Sequence, residues 1–424
     1  MRKALFFCVV PLCLALSDAV VAAEWSIEPS VSLREEYNDN IRFTASPHPG
    51  VWQSRLSPGL RMSSKTEVAE VSGLAQLNII QFAGDPQVKN RNDQVFSLLT
   101  RFQSERNTWA INASYKQDST ADERNTTGVA QSFTQRSSLS LSPSWTRTLT
   151  ERSSLTLNYS YQEMKYDAHT NNLNEYTSQQ VGGTLQYQLS ERDQVSLSVN
   201  HLVVEYSPIS NLLANGTILS IAPPILSLGS GTDILVNESG TSNVQAGVTR
   251  QFSETLRGSL SLGRRSTVSN VSHACTSCFT GGGVPINTFT NETSTSGYSF
   301  SATLEKTFDA ARVSGFASRD ANASGSGLVE TDKFGVSLSR SLTEKLTGSF
   351  DATAYRTKYI DATAPGSRYY TFEPKLNWRL TEWWTLDAGY RYARSESDAV
   401  TNATTANLVY LNLAYNWPKM AISR

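Results

Sequence analysis

The sequence predicts an all-β protein: a transmembrane, antiparallel, up-and-down β-barrel of about eighteen strands. Three observations carry this prediction: apolar and polar residues alternate with period two, a hairpin motif recurs along the chain, and the tryptophans gather near one class of turn. In the stretch LTERSSLTLNYSYQ, Leu155, Leu157, Tyr159 and Tyr161 alternate with Thr156, Asn158, Ser160 and Gln162. A helix would repeat its apolar residues every three to four positions, so this is a strand with one apolar and one polar face.

Taken in chain order, the first element is a leader. Arg2 and Lys3 precede an apolar run from Ala4 to Leu16, and small residues end at Ala22 and Ala23. This is the pattern of a secretory signal peptide over residues 1–23, followed by a single barrel domain over 24–424. The run is too short to cross a bilayer as a helix. After Ala23 no continuous apolar stretch reaches that length, so a membrane-embedded chain would have to cross as strands.

The hairpins follow. RMSSKTEVAE, RFQSERNTW, RTLTERSSL, QLSERDQV, QFSETLRG, TFDAARV, SLTEKLTG and RLTEWWTL each join two alternating segments through a short polar turn, most with Ser or Thr before an acidic residue. Between these eight turns run connections rich in Asn, Ser, Thr, Gly and Asp, such as DSTADERNTTGVAQS, YDAHTNNLNE and SRDANASGSGLVETDK. Short turns alternating with long loops are expected at the two ends of an outer-membrane barrel. Trp25, Trp109, Trp145, Trp378, Trp383, Trp384 and Trp417 lie near short turns or a mature terminus, as one interfacial aromatic girdle would. Tyrosines such as Tyr115, Tyr159, Tyr206 and Tyr390 lie farther up the strands, where a second girdle belongs.

The last strand, NLVYLNLAYNW, puts Val409, Leu411, Leu413, Tyr415 and Trp417 on one face. It resembles the terminal signal read by the barrel-assembly machinery, with the departure that PKMAISR follows it. Near the other end, PSVSLREEYNDNIRFT and SRLSPGLRM carry Leu33, Glu36, Tyr37, Asp39, Asn40, Ile41, Ser57, Pro58 and Gly59. Over these roughly forty residues the chain resembles outer-membrane β-barrel porins of the β-barrel porin 2 type, which include members found beside exosortase and exopolysaccharide gene clusters. The resemblance implies an outer-membrane barrel, no assigned catalytic residue and no cofactor.

Parity then sorts the faces. In YYTFEPKLNWRL, Tyr370, Phe372, Leu376 and Trp378 are expected to meet lipid, which turns Glu373, Lys375, Asn377 and Arg379 into the lumen. The same rule places Lys116, Asn158, Arg265, Glu305, Asp387 and Arg391 inside. These charges are of both signs, so they read either as solvated ladders or as a weakly selective lining. With 37 basic and 38 acidic residues, the chain shows no nucleic-acid footprint.

Three further features invite chemistry. Cys275 and Cys278 are the only cysteines after the leader; an exported pair reads as a local disulfide, with a zinc site including His273 as the alternative. Asp167 and His169 lack a recognisable nucleophile or second acid, so no enzyme is expected. Ser207–Gly240 is unusually apolar for a loop and is expected either to fold across the pore mouth or to extend a hairpin. The sequence thus leads to a channel in the bacterial outer membrane passing solutes or saccharide chains, with membrane lipids and the assembly machinery as partners. The alternatives are a non-conducting partner of an exopolysaccharide export system and, with less support, an outer-membrane enzyme.

Overall fold

The computed structural model describes residues 25–44, 49–128, 133–167, 173–220, 226–280, 285–360, 365–398 and 400–422. The leader expected over residues 1–23 lies outside them. The strands, in chain order, are β1 (Trp25–Asn38), β2 (Val51–Lys65), β3 (Ala69–Ala83), β4 (Arg91–Gln103), β5 (Asn107–Ser119), β6 (Gln135–Thr150) and β7 (Ser153–Tyr166). They continue as β8 (Tyr176–Gln188), β9 (Asp193–Tyr206), β10 (Ile209–Ser220), β11 (Leu226–Ser253), β12 (Leu256–Thr280) and β13 (Pro285–Thr307). The remainder are β14 (Ala311–Ser324), β15 (Gly327–Ser341), β16 (Leu346–Tyr359), β17 (Ser367–Arg379), β18 (Trp384–Ser397), β19 (Val400–Asn416) and β20 (Met420–Ile422).

Eighteen of them form the wall of a closed antiparallel barrel. Neighbours in the wall are neighbours in the chain, except that β9 pairs directly with β11. Closure comes from β1 against β19, in a register running from Ser30↔Asn416 to Asn38↔Leu408. The two remaining strands extend the wall: β10 pairs with the upper part of β11, and β20 pairs with Trp25–Ile27 at the lower end of β1. Closure removes the free strand edge that hydrocarbon cannot satisfy.

The repeated Ser/Thr of the short turns has a local cause. Thr343 Oγ1 accepts hydrogen bonds from the backbone N–H groups of Lys345 and Leu346 at 3.3 and 3.0 Å. Thr381 does the same for Trp383 and Trp384 at 3.2 and 3.1 Å, and Ser190 for Arg192 and Asp193 at 3.2 and 3.1 Å. A hydroxyl at the head of the turn thus satisfies two amides that the strand ladder has released.

The opposite end departs from expectation. SRDANASGSGLVETDK is not a long loop: β14 and β15 pair up to Ser324↔Gly327, leaving a tight turn in which Gly327 takes φ +123°. Gly tolerates that left-handed backbone where a side chain would strain. The outer face is apolar and open, with Leu157 44% exposed and Phe96, Leu262, Phe334, Phe372 and Val409 likewise exposed. Trp109 stacks on Trp145 at 5.6 Å, and Trp384, Tyr415 and Trp417 form a chain of ring contacts at 4.8 and 4.6 Å, all near the short-turn end.

The motif residues near the start seal the closing seam. The Asp39 carboxylate accepts both the backbone N–H and the side-chain amide of Asn407 at 2.7 Å, and Asn40 Nδ2 donates to the Thr405 carbonyl at 3.0 Å. These bonds cross between residues some 365 positions apart and hold the top of β1 against β19.

Candidate permeation site

The inner face is polar along most of the wall. On β17, Lys375 Nζ bridges Asp351 at 3.2 Å and Glu373 at 3.3 Å, and Arg391 Nε on β18 reaches Glu373 at 2.7 Å. Glu373, Lys375 and Arg391 therefore form one ladder of alternating sign. Lys116 on β5 pairs with Asp118, whose other oxygen takes Arg136 Nε at 2.7 Å. Nearer the short turns, Asp387 accepts from Asn377 and Asn412, Glu305 pairs with Arg312 at 2.6 Å, and Arg379 donates to the Glu344 carbonyl at 3.0 Å. Asn158 shares a row with Gly182 and Asn200, where a Cβ on Gly182 would stand 2.1 Å from Asn200 Oδ1 and 2.9 Å from Asn158 Oδ1. Arg265, only 5% exposed, pairs with Glu330 at 2.7 Å.

The barrel is not hollow across its width. The connection after β5 forms a short helix, α1 (Thr120–Thr127). Its start is capped by Ser119, whose N–H and hydroxyl both reach Asp122 Oδ2 at 3.2 and 2.7 Å. Its end is Gly128, at φ +74°, with its N–H bonded to the Arg124 carbonyl at 2.9 Å. Thr120 and Thr134 exchange bonds at 3.0 Å, which pins the two ends of the connection together.

From that anchor on β5 and β6 the segment reaches β16 and β17, nearly opposite in strand order. A Cβ on Gly128 would lie 2.3 Å from the Tyr355 side chain, so only glycine fits the approach. The buried Arg124 guanidinium sits 4.6 Å above the Phe43 ring, which meets Tyr369 edge-on at 5.7 Å. Phe43 itself holds φ +53°, an uncommon backbone for a bulky residue and one maintained by these contacts. The result is a bar across the lumen that the sequence reading did not anticipate. Gly128 and the Ser119/Asp122 capping pair were its visible traces.

On one side of the bar a second insertion fills the space. β14 pairs with β13 only as far as Phe300↔Arg319, whereas β13 continues upward beside β12 to Pro285. Beyond Arg319 β14 thus parts from β13 while β15 stays paired with β16 as far as Val329↔Tyr359, and Ser324, Gly325, Gly327, Leu328 and Val329 are buried. Leu328 packs with Met164, Tyr166, Leu173, Tyr176, Val204 and Tyr206 in one apolar cluster. Asn174 N–H bonds the Gly325 carbonyl at 2.6 Å, joining two connections from opposite parts of the wall.

Of the two readings open for Ser207–Gly240, the described backbone takes the hairpin extension. Ile209–Ser220 pairs antiparallel with Leu226–Leu235, and that strand pairs onward with β12, so the described backbone of this segment is paired strand. The space inside the barrel is taken up instead by α1 and the β14–β15 tip. Cys275 and Cys278 lie in β12, and their side chains, with that of His273, fall outside the described residues. So does His169. Among the described residues no group of three or more His, Cys, Asp or Glu is arranged to hold a metal ion.

On the other side of the bar, between α1, β1, β2, β4, β5 and β17–β19, lies a cavity of about 320 Å³. Arg34, Arg55, Arg91, Lys116 and Arg391 line it, against Glu36 and Asp122. Arg34 pairs with Glu36 at 2.7 Å; Arg91 pairs with Asp93 at 3.0 Å and with Asp122 at 3.4 Å. Burial raises the Asp122 pKa, but Arg91, the Ser119 hydroxyl and Arg55 outweigh it and hold the carboxyl below its usual range.

This geometry defines a closed antiparallel β-barrel with eighteen wall strands, its interior narrowed by inserted segments. Residues 290–416 match the sequence profile of a family described as "Putative beta-barrel porin 2". The N-terminal resemblance to that family is thus met by a match at the other end of the chain. Among solved structures, the chain is similar to OccK9 (OpdG) of Pseudomonas aeruginosa, at 9% identity over 93% of this chain and 98% of that one, with a TM-score of 0.47. It is also similar to the ferric yersiniabactin uptake receptor FyuA of Yersinia pestis (10% identity, 95% and 71% coverage, TM-score 0.46). A third is the FrpB iron transporter of Neisseria meningitidis (9% identity, 95% and 84% coverage, TM-score 0.46). Among curated proteins none matches the chain.

Proposed function

We propose that the chain is a porin-like channel of the bacterial outer membrane that passes small solutes or saccharide chains along the charged side of the bar. The observation that carries this reading is the unequal filling of the lumen. An apolar cluster packs one side, while the other keeps a polar cavity lined by charged side chains. Mixed charges strip little hydration from a passing solute and orient it instead. The lipids of the outer membrane supply the solvent for the apolar outer face, and the aromatic chain at β19 fits recognition by the barrel-assembly machinery.

Purified, heat-modifiable protein in a planar bilayer should give discrete single-channel steps that small saccharides reduce. Folded protein that never conducts would overturn the channel reading. It would favour a second one, a non-conducting partner of a saccharide export system, for which the two inserted segments are the supporting observation.

A further inference from the structure

The plugged side of the lumen is not solid. On the short-turn side of the apolar cluster, where β14 parts from β13, lies a second cavity of about 240 Å³. Leu202, which packs against the cluster, lines it, and Asp320, Ala321 and Asn322 of β14 face it from across the lumen. Its lining is rich in amides: Gln180, Asn200, Asn243 and Gln245 on β8, β9 and β11, with Asn322 on β14. The Ser299 hydroxyl donates to Asn243 Oδ1 at 2.7 Å, which fixes the rotamer of that amide. Arg265 and Asp320 are the two charged residues of the lining, and they are opposite in sign. Arg265 is 5% exposed; its Nη2 donates to Glu330 at 2.7 Å, while Nε and Nη1 are buried with no acceptor among the described residues.

Buried donors of this kind cost free energy until an acceptor reaches them. The Arg265 guanidinium supplies only donors and an Asp320 carboxylate only acceptors, whereas the amides between them offer both. A fitting ligand therefore accepts at one end, donates at the other and brings no net charge, because an anion would meet Asp320 and a cation would meet Arg265 in a half-enclosed space. Neighbouring sugar hydroxyls meet all three conditions, since each hydroxyl both donates and accepts. The volume falls below the roughly 300–1,000 Å³ of sites for drug-sized ligands, which limits the occupant to about one ring. We propose that this cavity is a binding site for one neutral monosaccharide unit, held between Arg265 and Asp320 and surrounded by the amides. The site stands apart from the charged side of α1 and holds its sugar whether or not the barrel conducts.

Glucose, galactose and mannose are titrated by calorimetry into the full-length barrel in a detergent without a sugar headgroup, with glucuronate and glucosamine as charged counterparts. The site predicts saturable binding of at least one neutral sugar and at least tenfold weaker binding of both charged ones. Arg265→Lys keeps a cation for Glu330 but removes the Nε and Nη1 donors, and should weaken the neutral sugar at least tenfold. Asp320→Asn leaves the Arg265–Glu330 pair in place and should weaken it severalfold; it carries the test if Arg265→Lys loses heat-modifiable mobility. If none of the three sugars binds the folded protein, or if Asp320→Asn holds the sugar as tightly as the unaltered chain, the site is overturned. Glucuronate or glucosamine binding as tightly as the neutral sugar overturns the assignment to a neutral ligand. Binding by protein that gives no single-channel current supports the site and overturns the channel; current without binding does the reverse.

Discussion

The two sides of α1 are walled by the same kind of strand and filled in opposite ways. Toward β7–β9, the inward row near the upper end carries Met164, Tyr166, Tyr176, Val204 and Tyr206, and a hairpin tip comes down to cover them. Toward β1–β5 and β17–β19, the inward row at similar height carries Arg34, Glu36, Gln53, Arg91 and Arg391, and the covering segment spans the space without packing it. A polar inner row cannot be sealed by an apolar tip without stranding charges, whereas an apolar inner row left wet would expose surface at about 25 cal/mol per Å². Which side is plugged follows from which residues line it.

The largest expected effect comes from removing the divider. Replacing residues 120–133 by a short polar turn should join the two sides and raise single-channel conductance several-fold, with assembly retained because the wall strands are untouched. Unchanged conductance in a folded variant would mean that α1 does not stand in the permeation path.

A smaller effect separates inner from outer face. Leu157→Arg should destabilise the barrel by roughly 2–4 kcal/mol if it lies near the bilayer midplane, while Asn158→Arg, one residue on, should be tolerated. Heat-modifiable gel mobility reads both. Equal tolerance would dissolve the distinction between the faces on which the comparison rests.

What could be read from the sequence divides along the same line. Strand parity, the eight short turns and the strand count follow from local rules, because alternation and turn chemistry are properties of a few adjacent residues. Thr343 and Thr381 signal their turns through hydroxyl bonds spanning only two or three positions. The contents of the lumen do not follow such rules. Gly128 meets Tyr355, Phe43 meets Tyr369 and Asn174 meets Gly325 across 227, 326 and 151 positions, and nothing in the neighbourhood of DSTADERNTT announces that it will fold inward. The apolar segment Ser207–Gly240 left two readings open for a related reason: hydrophobic content says that a segment is covered, not by what. Here the backbone of Ile209–Ser220 pairs with Leu226–Leu235, and that strand with β12, which is the hairpin extension.

The central claim is that solute passes on the charged side of α1, and thiol accessibility tests it most directly. In a Cys275→Ser, Cys278→Ser background, Lys116→Cys and Tyr206→Cys are recorded in planar bilayers before and after a bulky, water-soluble methanethiosulfonate reagent. Lys116 borders the cavity, and Tyr206 lies in the apolar cluster at 5% exposure. The account predicts a marked, reductant-reversible fall in current for Lys116→Cys and none for Tyr206→Cys. Block at Tyr206→Cys with Lys116→Cys unaffected would contradict it.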